Sequence, residues 1–292
     1  MGYCWPVAPW RNPFLIAAFS GWGDASSVAT TSAAFLLQKR EVTREIEFDP
    51  EEYFVLTDTR PTVRLADDGS RRIQWPSLAL MHGAGEPRDL GLLLGPEPQL
   101  RWRGFVERVA VTWERRGEGG PAILLGAFLA SVPHTGPVFL TGFATTPDLR
   151  AHLSGLGVQP SGYEGPTSIH SVLAEALRRR GVPCASIWAA VPHYVGAMPN
   201  PKACVAMLRV VDDLLGLSLD LTELEDAASS FEKQVSRAIT RGSRERRKGE
   251  RPSRDSAGDE SQTGEPSNEP LPSSEEMIRG VEEFLKKNRP DA

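Results

Sequence analysis

Residues 14–39, FLIAAFSGWGDASSVATTSAAFLLQK, carry the clearest signal of the fold class. The first six residues are all apolar, as in a strand that is buried on both faces of a sheet. Gly21 and Gly23 favour a sharp turn after this strand. The residues that follow Asp24 have the composition of a helix, and Asp24 itself can cap the start of that helix. Strand, glycine turn and helix in this order form the opening unit of a parallel α/β sheet.

The same alternation continues along the chain. Apolar runs at 89–95, 122–128 and 182–191 predict three more buried strands. Asp68-Gly69 predicts a hairpin between two short strands, an antiparallel excursion from the sheet. Segments with helical spacing lie between the strands and after the last one, and these predicted helices are 101–117, 162–181 and 200–216. Thr167 or Ser168 is expected to cap the start of the second helix, and Asn200 the start of the third. The order of elements predicts an α/β fold with a mostly parallel sheet.

The composition of the chain changes after residue 220. We expect residues 1–220 to form the α/β core domain, and residues 221–240 to form an amphipathic helix whose apolar stripe needs a partner surface. Residues 241–271 contain almost no apolar residue, which predicts a disordered linker. Residues 272–292 predict a C-terminal amphipathic helix that docks on the core.

Composition excludes several classes of protein. The 292 residues carry a formal net charge of only −5, so no strong field favours nucleic acid or an anionic membrane, and we expect neither as a partner. No apolar run approaches the roughly 20 residues of a membrane helix. Three distant cysteines without a CxxC pair are typical of reduced thiols. The sequence therefore predicts a soluble, cytoplasmic protein.

Polar side chains that could bind a ligand or take part in catalysis follow the predicted strands. We group them as the strand-end rim, which consists of Asp24, Glu97, His134, Glu164 and His193. Open α/β sheets bind ligands outside the carboxyl ends of their strands, so the rim is the candidate ligand site. Carboxylates and imidazoles can act as acids, bases or metal ligands, although no tight ligand spacing is present and no metal is expected. The alternative is structural, with the imidazoles and carboxylates bonded to the backbone.

Val-Pro-His occurs twice, at 132–134 and at 191–193, each time after an apolar run. Proline fixes the chain where it leaves a sheet and removes an amide that would have no partner there. Both segments are therefore predicted to leave the same edge of one sheet. We also expect structural turns at four positions, Gly21, Gly23, Pro133 and Gly165.

Familiar signatures of enzymes are missing from the sequence. It contains no G-x-S-x-G elbow, no P-loop and no H-E-x-x-H motif. Gly21-Trp22-Gly23 is similar to a dinucleotide loop, but Ser26 stands in place of the third glycine and Asp24 would repel a pyrophosphate. The sequence therefore predicts no cofactor and no catalytic residue, and it leans away from an enzyme.

Six segments in order resemble a known family: FSGWGDA, FDPEEYFVLTDTRPTVR, LLLGPEPQLRWRGF, LLGAFLASVPHTGPV, YEGPTSI and WAAVPHYVGAMPNPKA. They look like the actinobacterial branch of the proteasome assembly chaperone family, second-subunit type, long described as a domain of unknown function. The resemblance covers roughly residues 14–216. Several independent motifs in the same order make it more specific than any single motif.

The resemblance implies a three-layer α/β domain similar to the phosphorylase/hydrolase-like fold. It also implies a homo-oligomer, with a trimer as the candidate stoichiometry, and proteasome subunits as candidate partners. Relatives in eukaryotes and archaea help to assemble the proteasome core particle. The resemblance transfers motif positions without a defined role, and these are Gly21, Gly23, Asp24, Glu97, Pro133, His134, Glu164, Gly165, His193 and Lys202.

Two functions follow as hypotheses. The first is a non-enzymatic assembly chaperone or scaffold, in which the rim is filled by its own side chains and the apolar stripe of the helix at 223–240 engages another subunit. The second is a phosphorylase- or hydrolase-like enzyme that binds a small molecule at the rim. The second function requires an open pocket in which His134, His193 and Glu164 reach one site.

Overall fold

The computed structural model describes residues 10–38 and 40–249. The strands are β1 (Phe14–Ser20), β2 (Glu41–Phe48), β3 (Thr62–Leu65), β4 (Arg71–Gln74), β5 (Leu78–Ala84), β6 (Leu90–Pro96), β7 (Ala122–Ala130), β8 (Leu140–Ala144), β9 (Gln159–Pro160) and β10 (Cys184–Pro192). The helices are α1 (Val28–Phe35), α2 (Pro50–Tyr53), α3 (Trp102–Arg116), α4 (Pro147–Gly155), α5 (Ile169–Arg179), α6 (Pro201–Leu215) and α7 (Thr222–Gly249).

Eight of these strands form one sheet in the order β2-β5-β6-β1-β7-β10-β8-β9. The four central strands, β6, β1, β7 and β10, are parallel to one another. Antiparallel pairs flank them, with β5 beside β6 on one side and β8 beside β10 on the other. The prediction of a mostly parallel α/β sheet is confirmed. Its central strands are the apolar runs that the sequence analysis identified.

Helices cover both faces of the sheet and give the three layers. Along β1, Phe14, Ile16 and Ala18 face one hydrophobic core, which α1, α4 and α6 close. Leu15, Ala17 and Phe19 of the same strand face the other core, which α3 and α5 close. Alternate residues of a strand point to opposite faces, so a strand that is apolar throughout contributes to two cores.

Two helix starts hold their capping side chains as the sequence predicts. Ser168 precedes α5, and its hydroxyl accepts a hydrogen bond from the His170 amide at 3.3 Å. Asn200 precedes α6, and its side-chain oxygen accepts from the Ala203 amide at 3.1 Å. These caps satisfy amides that have no partner within the helix. They also fix the loops that enter α5 and α6 beside the ends of the strands.

The apolar stripe of α7 is buried by the chain itself. Leu224, Ala228, Phe231 and Val235 all lie in the hydrophobic core that includes α6. The expectation that this stripe engages another subunit is therefore wrong, because its partner surface belongs to the same molecule. The helix also continues to Gly249, past the predicted end at residue 240. The rest of the predicted linker and the predicted helix at 272–292 lie outside the described residues.

Candidate functional site

Asp24 of the strand-end rim acts on the helix that follows it. Its carboxylate is buried, and Oδ1 accepts hydrogen bonds from the amides of Ala29 at 2.7 Å and Thr30 at 3.3 Å. Burial raises the pKa of Asp24, and the hydrogen bonds from Thr30 and Ala29 oppose that shift. The side chain thus ties the glycine turn to the first turns of α1.

Glu97 follows β6 and lies at the start of α5. Its Oε1 accepts a hydrogen bond from the amide of Ile169 at 2.7 Å, at the positive end of the helix dipole. The carboxyl is half-buried, and this burial raises its pKa, while the Ile169 amide opposes the shift. Gly21 lies beside it at φ 125°, a conformation that favours glycine. Glu97 therefore caps a helix from a distant strand.

His134 anchors the loop between β7 and β8. Its Nδ1 lies 2.9 Å from Tyr194 Oη, and its Nε2 lies 2.8 Å from Ser236 Oγ on α7. Lys202 Nζ donates to the His134 carbonyl oxygen at 2.7 Å and forms an ion pair with Glu232 of α7 at 2.5 Å. The loop, the start of α6 and α7 are joined by these bonds. Both nitrogens of the His134 ring are engaged.

His193 lies at the end of β10 and is exposed. Its ring contacts the ring of Tyr194 edge-on with centroids 5.4 Å apart, and the His134 ring contacts the same tyrosine at 5.9 Å. The two Val-Pro-His segments therefore leave the same edge of the sheet and meet at Tyr194. Glu164 is exposed, and within the described residues no hydrogen bond joins it to either histidine.

The rim does not close around one ligand pocket. The cavity beside His134 has a volume of about 10 Å³, which is room for a single water molecule. Asp24, Glu97 and His134 each hold a separate piece of structure. No group of three or more histidine, cysteine, aspartate or glutamate side chains within 10–38 and 40–249 could hold a metal ion. The rim residues therefore fix separate loops and helices through hydrogen bonds.

A buried histidine that the sequence analysis missed lies behind the rim. His170 Nε2 is 2.8 Å from the Leu125 carbonyl oxygen, and Nδ1 is 3.0 Å from Ser168 Oγ. A carbonyl oxygen can only accept, so Nε2 carries the proton and Nδ1 accepts from Ser168. Burial lowers the pKa of His170 to about 4. The signal in the sequence is that His170, Leu173 and Leu177 share one helical face.

A cleft lined by aromatic side chains lies beside the start of α5. Its cavity volume is about 300 Å³. We call it the aromatic cleft, and it is lined by Trp22, Phe128, Thr141, Phe143, Ser161, Tyr163, Pro166, Thr167, Ser168, Ser171 and Trp188. Trp188 also contacts the ring of His170. Two predicted turn glycines border the cleft, Gly23 against Trp188 and Gly165 against Tyr163. The other predicted turn residue, Pro133, lies in the exposed loop after β7.

The hairpin formed by β3 and β4 has one apolar face that is not covered. Val63 is paired with Ile73 and Leu65 with Arg71, so these four side chains point to the same side, three of them apolar. Thr62, Gln74 and the arginines at 64 and 72 occupy the opposite side. Several apolar side chains of the hairpin region are largely exposed, with fractions of 56% for Val63, 73% for Leu65, 55% for Ile73 and 49% for Trp75.

Helices of the described part of the chain are too short or too polar to cross a membrane. The two cysteines within it, Cys184 and Cys204, are buried and free. Burial raises the pKa of both thiols to about 12, so neither is a thiolate nucleophile near neutral pH.

The topology defines a three-layer α/β protein with helix-capping side chains at the ends of its strands. Residues 18–239 match the PAC2 family, and the chain belongs to this family. A comparison with curated proteins finds no match.

Solved structures resemble the chain over most of their length. A proteasome-assembly chaperone homologue from Mycobacterium tuberculosis is 36% identical, with a TM-score of 0.70, covering 77% of this chain and 95% of the other. A PAC2 family protein from Streptomyces avermitilis is 37% identical, with a TM-score of 0.69 and the same coverage. An archaeal proteasome activator from Pyrococcus furiosus is 18% identical, with a TM-score of 0.59, covering 80% of this chain and 96% of the other, and it shares the fold.

Proposed function

We propose that the protein is an assembly chaperone or scaffold that acts through protein–protein contacts. The observation that carries the proposal is the uncovered face of the β3–β4 hairpin that presents Val63, Leu65 and Ile73, with Arg71 opposite Leu65 and the exposed Trp75 directly after β4. Membership of the PAC2 family and likeness to a proteasome-assembly chaperone homologue support the same function.

The hairpin has the chemistry of a contact surface. An amphipathic hairpin that belonged only to a monomer would turn its apolar face to the core, because burial of apolar side chains stabilises a fold by about 25 cal/mol per Å². Here that face is exposed on a segment outside the main sheet. Contiguous exposed apolar side chains mark interaction sites in soluble proteins.

The proposed partners are other copies of the chain and proteasome subunits. Arg64, Arg71 and Arg72 lie on the hairpin, so a partner with an apolar patch and acidic surroundings would match it. The chain itself has a net charge of −5, which suits a second copy. We propose a homo-oligomer, with a trimer as the candidate stoichiometry. Cytoplasmic location is part of the proposal, and the free buried cysteines support it.

Native mass spectrometry of the protein purified gently from its own cells tests the proposal. The wild type should carry further copies or proteasome subunits. Leu65→Ser with Ile73→Ser should lose them, because both changes remove apolar side chains from the contact face. The matched control is Thr62→Ala with Gln74→Ala, a directly paired set on the polar face. This control should keep the complex.

The proposal fails if the wild type is a monomer without bound protein, or if both double variants keep the same complex. Circular dichroism should show both variants folded, since the changed side chains are exposed. An enzyme acting at the strand-end rim is the alternative function. The separate roles of Asp24, Glu97 and His134 in hydrogen bonds to loops and helices count against that alternative.

A further inference from the structure

The aromatic cleft has the shape of a site for one flat molecule. Phe128, Phe143 and Trp188 line it from three strands of the sheet, and Trp22 and Tyr163 line it from loops. The side chains of Trp22 and Tyr163 are 65% and 64% exposed, although the hydrophobic core of a domain is where such large aromatic rings could be buried. A volume of about 300 Å³ lies at the small end of the range for ligand sites.

The lining of the aromatic cleft carries no charge near neutral pH. Among the described residues that line it there is no aspartate, glutamate, lysine, arginine or histidine, and the Tyr163 hydroxyl donates to the Pro166 carbonyl oxygen at 2.9 Å. His170 lies behind Trp188, and its lowered pKa keeps it neutral. A charged ligand would lose its hydration here without gaining an ion pair. The lining therefore matches an uncharged ligand.

Hydroxyl groups at the start of α5 supply polar contacts. Thr167 Oγ1 lies 2.5 Å from Ser171 Oγ and 3.2 Å from the Ser168 carbonyl oxygen. Whichever of the two oxygens receives the Thr167 hydrogen, the hydroxyl oxygens of Thr167 and Ser171 keep acceptor capacity for a ligand. Ser161 and Thr141 add two more hydroxyls to the lining. Rings that can stack, together with a few hydroxyl donors and acceptors, recognise a planar compound with a polar edge.

We propose that the aromatic cleft binds an uncharged planar ring compound with one hydrogen-bonding edge. The ring stacks against the aromatic walls, with Trp22 over the open side, and the polar edge meets Ser171 and its neighbours. This site is separate from the hairpin, and the inference does not depend on the proposed function.

Ligand-detected NMR titrations of the full chain test the inference with indole-3-acetamide and indole-3-acetate. The two probes share one ring and differ in charge, so the neutral amide should bind and the anion should bind at least about tenfold more weakly. Trp22→Ala and Phe143→Ala should each weaken binding of the amide by about threefold to tenfold. The matched control is Trp75→Ala, which removes an exposed tryptophan from the hairpin and should leave binding unchanged.

Three outcomes overturn the inference. The first is equal binding of both probes, and the second is no binding of the amide to the folded wild type. The third is a complex with a second copy or another protein that Trp22→Ala abolishes, because the aromatic cleft is then a protein contact. If the hairpin variants lose their complexes but still bind the amide probe, the contact surface on the hairpin and the ligand site in the aromatic cleft are independent of each other.

Discussion

Gly126 and Trp188 are register partners on β7 and β10, and the indole occupies the space where a side chain at residue 126 would lie. A Cβ added at Gly126 would lie 2.6 Å from ring atoms of Trp188. The glycine therefore allows a large aromatic ring to lie flat on the centre of the sheet. The same ring lines the aromatic cleft and contacts His170.

Gly126→Ala should destabilise the protein by about 1–3 kcal/mol, because the new methyl group must displace the Trp188 ring. Denaturant unfolding followed by circular dichroism measures this change. The control is Gly104→Ala in α3, where an added Cβ meets nothing within 4 Å. That variant should gain about 0.5–1 kcal/mol, because alanine is the better helix former. Equal stability of the two variants would contradict the packing argument.

Replacement of Glu97 separates its hydrogen bond from its charge. Glu97→Ala removes the acceptor for the Ile169 amide and should cost about 1 kcal/mol, as the loss of a helix cap does. Glu97→Gln keeps an oxygen acceptor and should cost less. Folding raises the pKa of the Glu97 carboxyl, so its protonated form stabilises the fold at low pH. This stability is lost as the pH rises through the pKa of the folded state. A glutamine does not titrate and avoids this loss. In thermal unfolding at pH 7, wild type and Glu97→Gln should both be more stable than Glu97→Ala. An equal loss of stability in both variants would contradict the capping role.

His170 should make stability depend on pH. The pKa of His170 falls from 6.5 to about 4 on folding. Between pH 4 and pH 6.5, the imidazole is therefore mainly protonated in the unfolded chain and mainly neutral in the folded chain. The stability that His170 contributes is present above about pH 6.5 and is lost as the pH falls towards 4, by up to about 3 kcal/mol. His170→Gln removes the titrating group.

The free energy of unfolding of wild type and His170→Gln should therefore converge as the pH is lowered from 7 to 4.5. Urea unfolding at a series of pH values measures the difference between the two proteins, so that other titrating groups cancel. A constant difference across the series would show that His170 does not lose a proton on folding.

The two Val-Pro-His histidines should differ in their effect on stability. His134→Ala breaks the contacts with Tyr194 and with Ser236 and should cost about 1–2 kcal/mol. His193→Ala removes an exposed ring and should change stability by less than about 0.5 kcal/mol. Neither change should abolish a complex formed through the hairpin. Loss of the complex at unchanged stability would give these histidines a direct role in partner binding.

The sequence predicts the central strands of the fold because a continuous apolar run can be recognised without knowing which strands lie beside it. It does not predict β5 and β8, which pair antiparallel beside the parallel centre and contain glycine or polar residues. Their place depends on contacts with strands distant along the chain. Helix caps are local signals, so the sequence predicts Asn200 as one cap and narrows the other to Thr167 or Ser168, of which the structure has Ser168.

The candidate site is harder to predict for the same reason. The sequence places Asp24, Glu97 and the two Val-Pro-His histidines at the ends of strands, but their partners are distant. His134, for example, meets Ser236, a residue 102 positions away. The aromatic cleft combines side chains from two loops, three strands and a helix, so no single motif marks it.

The docking of α7 on its own chain gives the last prediction. Phe231 is buried between α7 and the core, so Phe231→Ala should cost about 3–5 kcal/mol through lost burial and the cavity that remains. Ile239 lies on the same helix but is 45% exposed, and Ile239→Ala should cost less than about 1 kcal/mol. Denaturant unfolding at several protein concentrations measures both. Because the partner surface of α7 belongs to the same molecule, the loss in Phe231→Ala should not depend on protein concentration. A loss that shrinks as the protein is diluted would instead place the stripe at a contact between subunits.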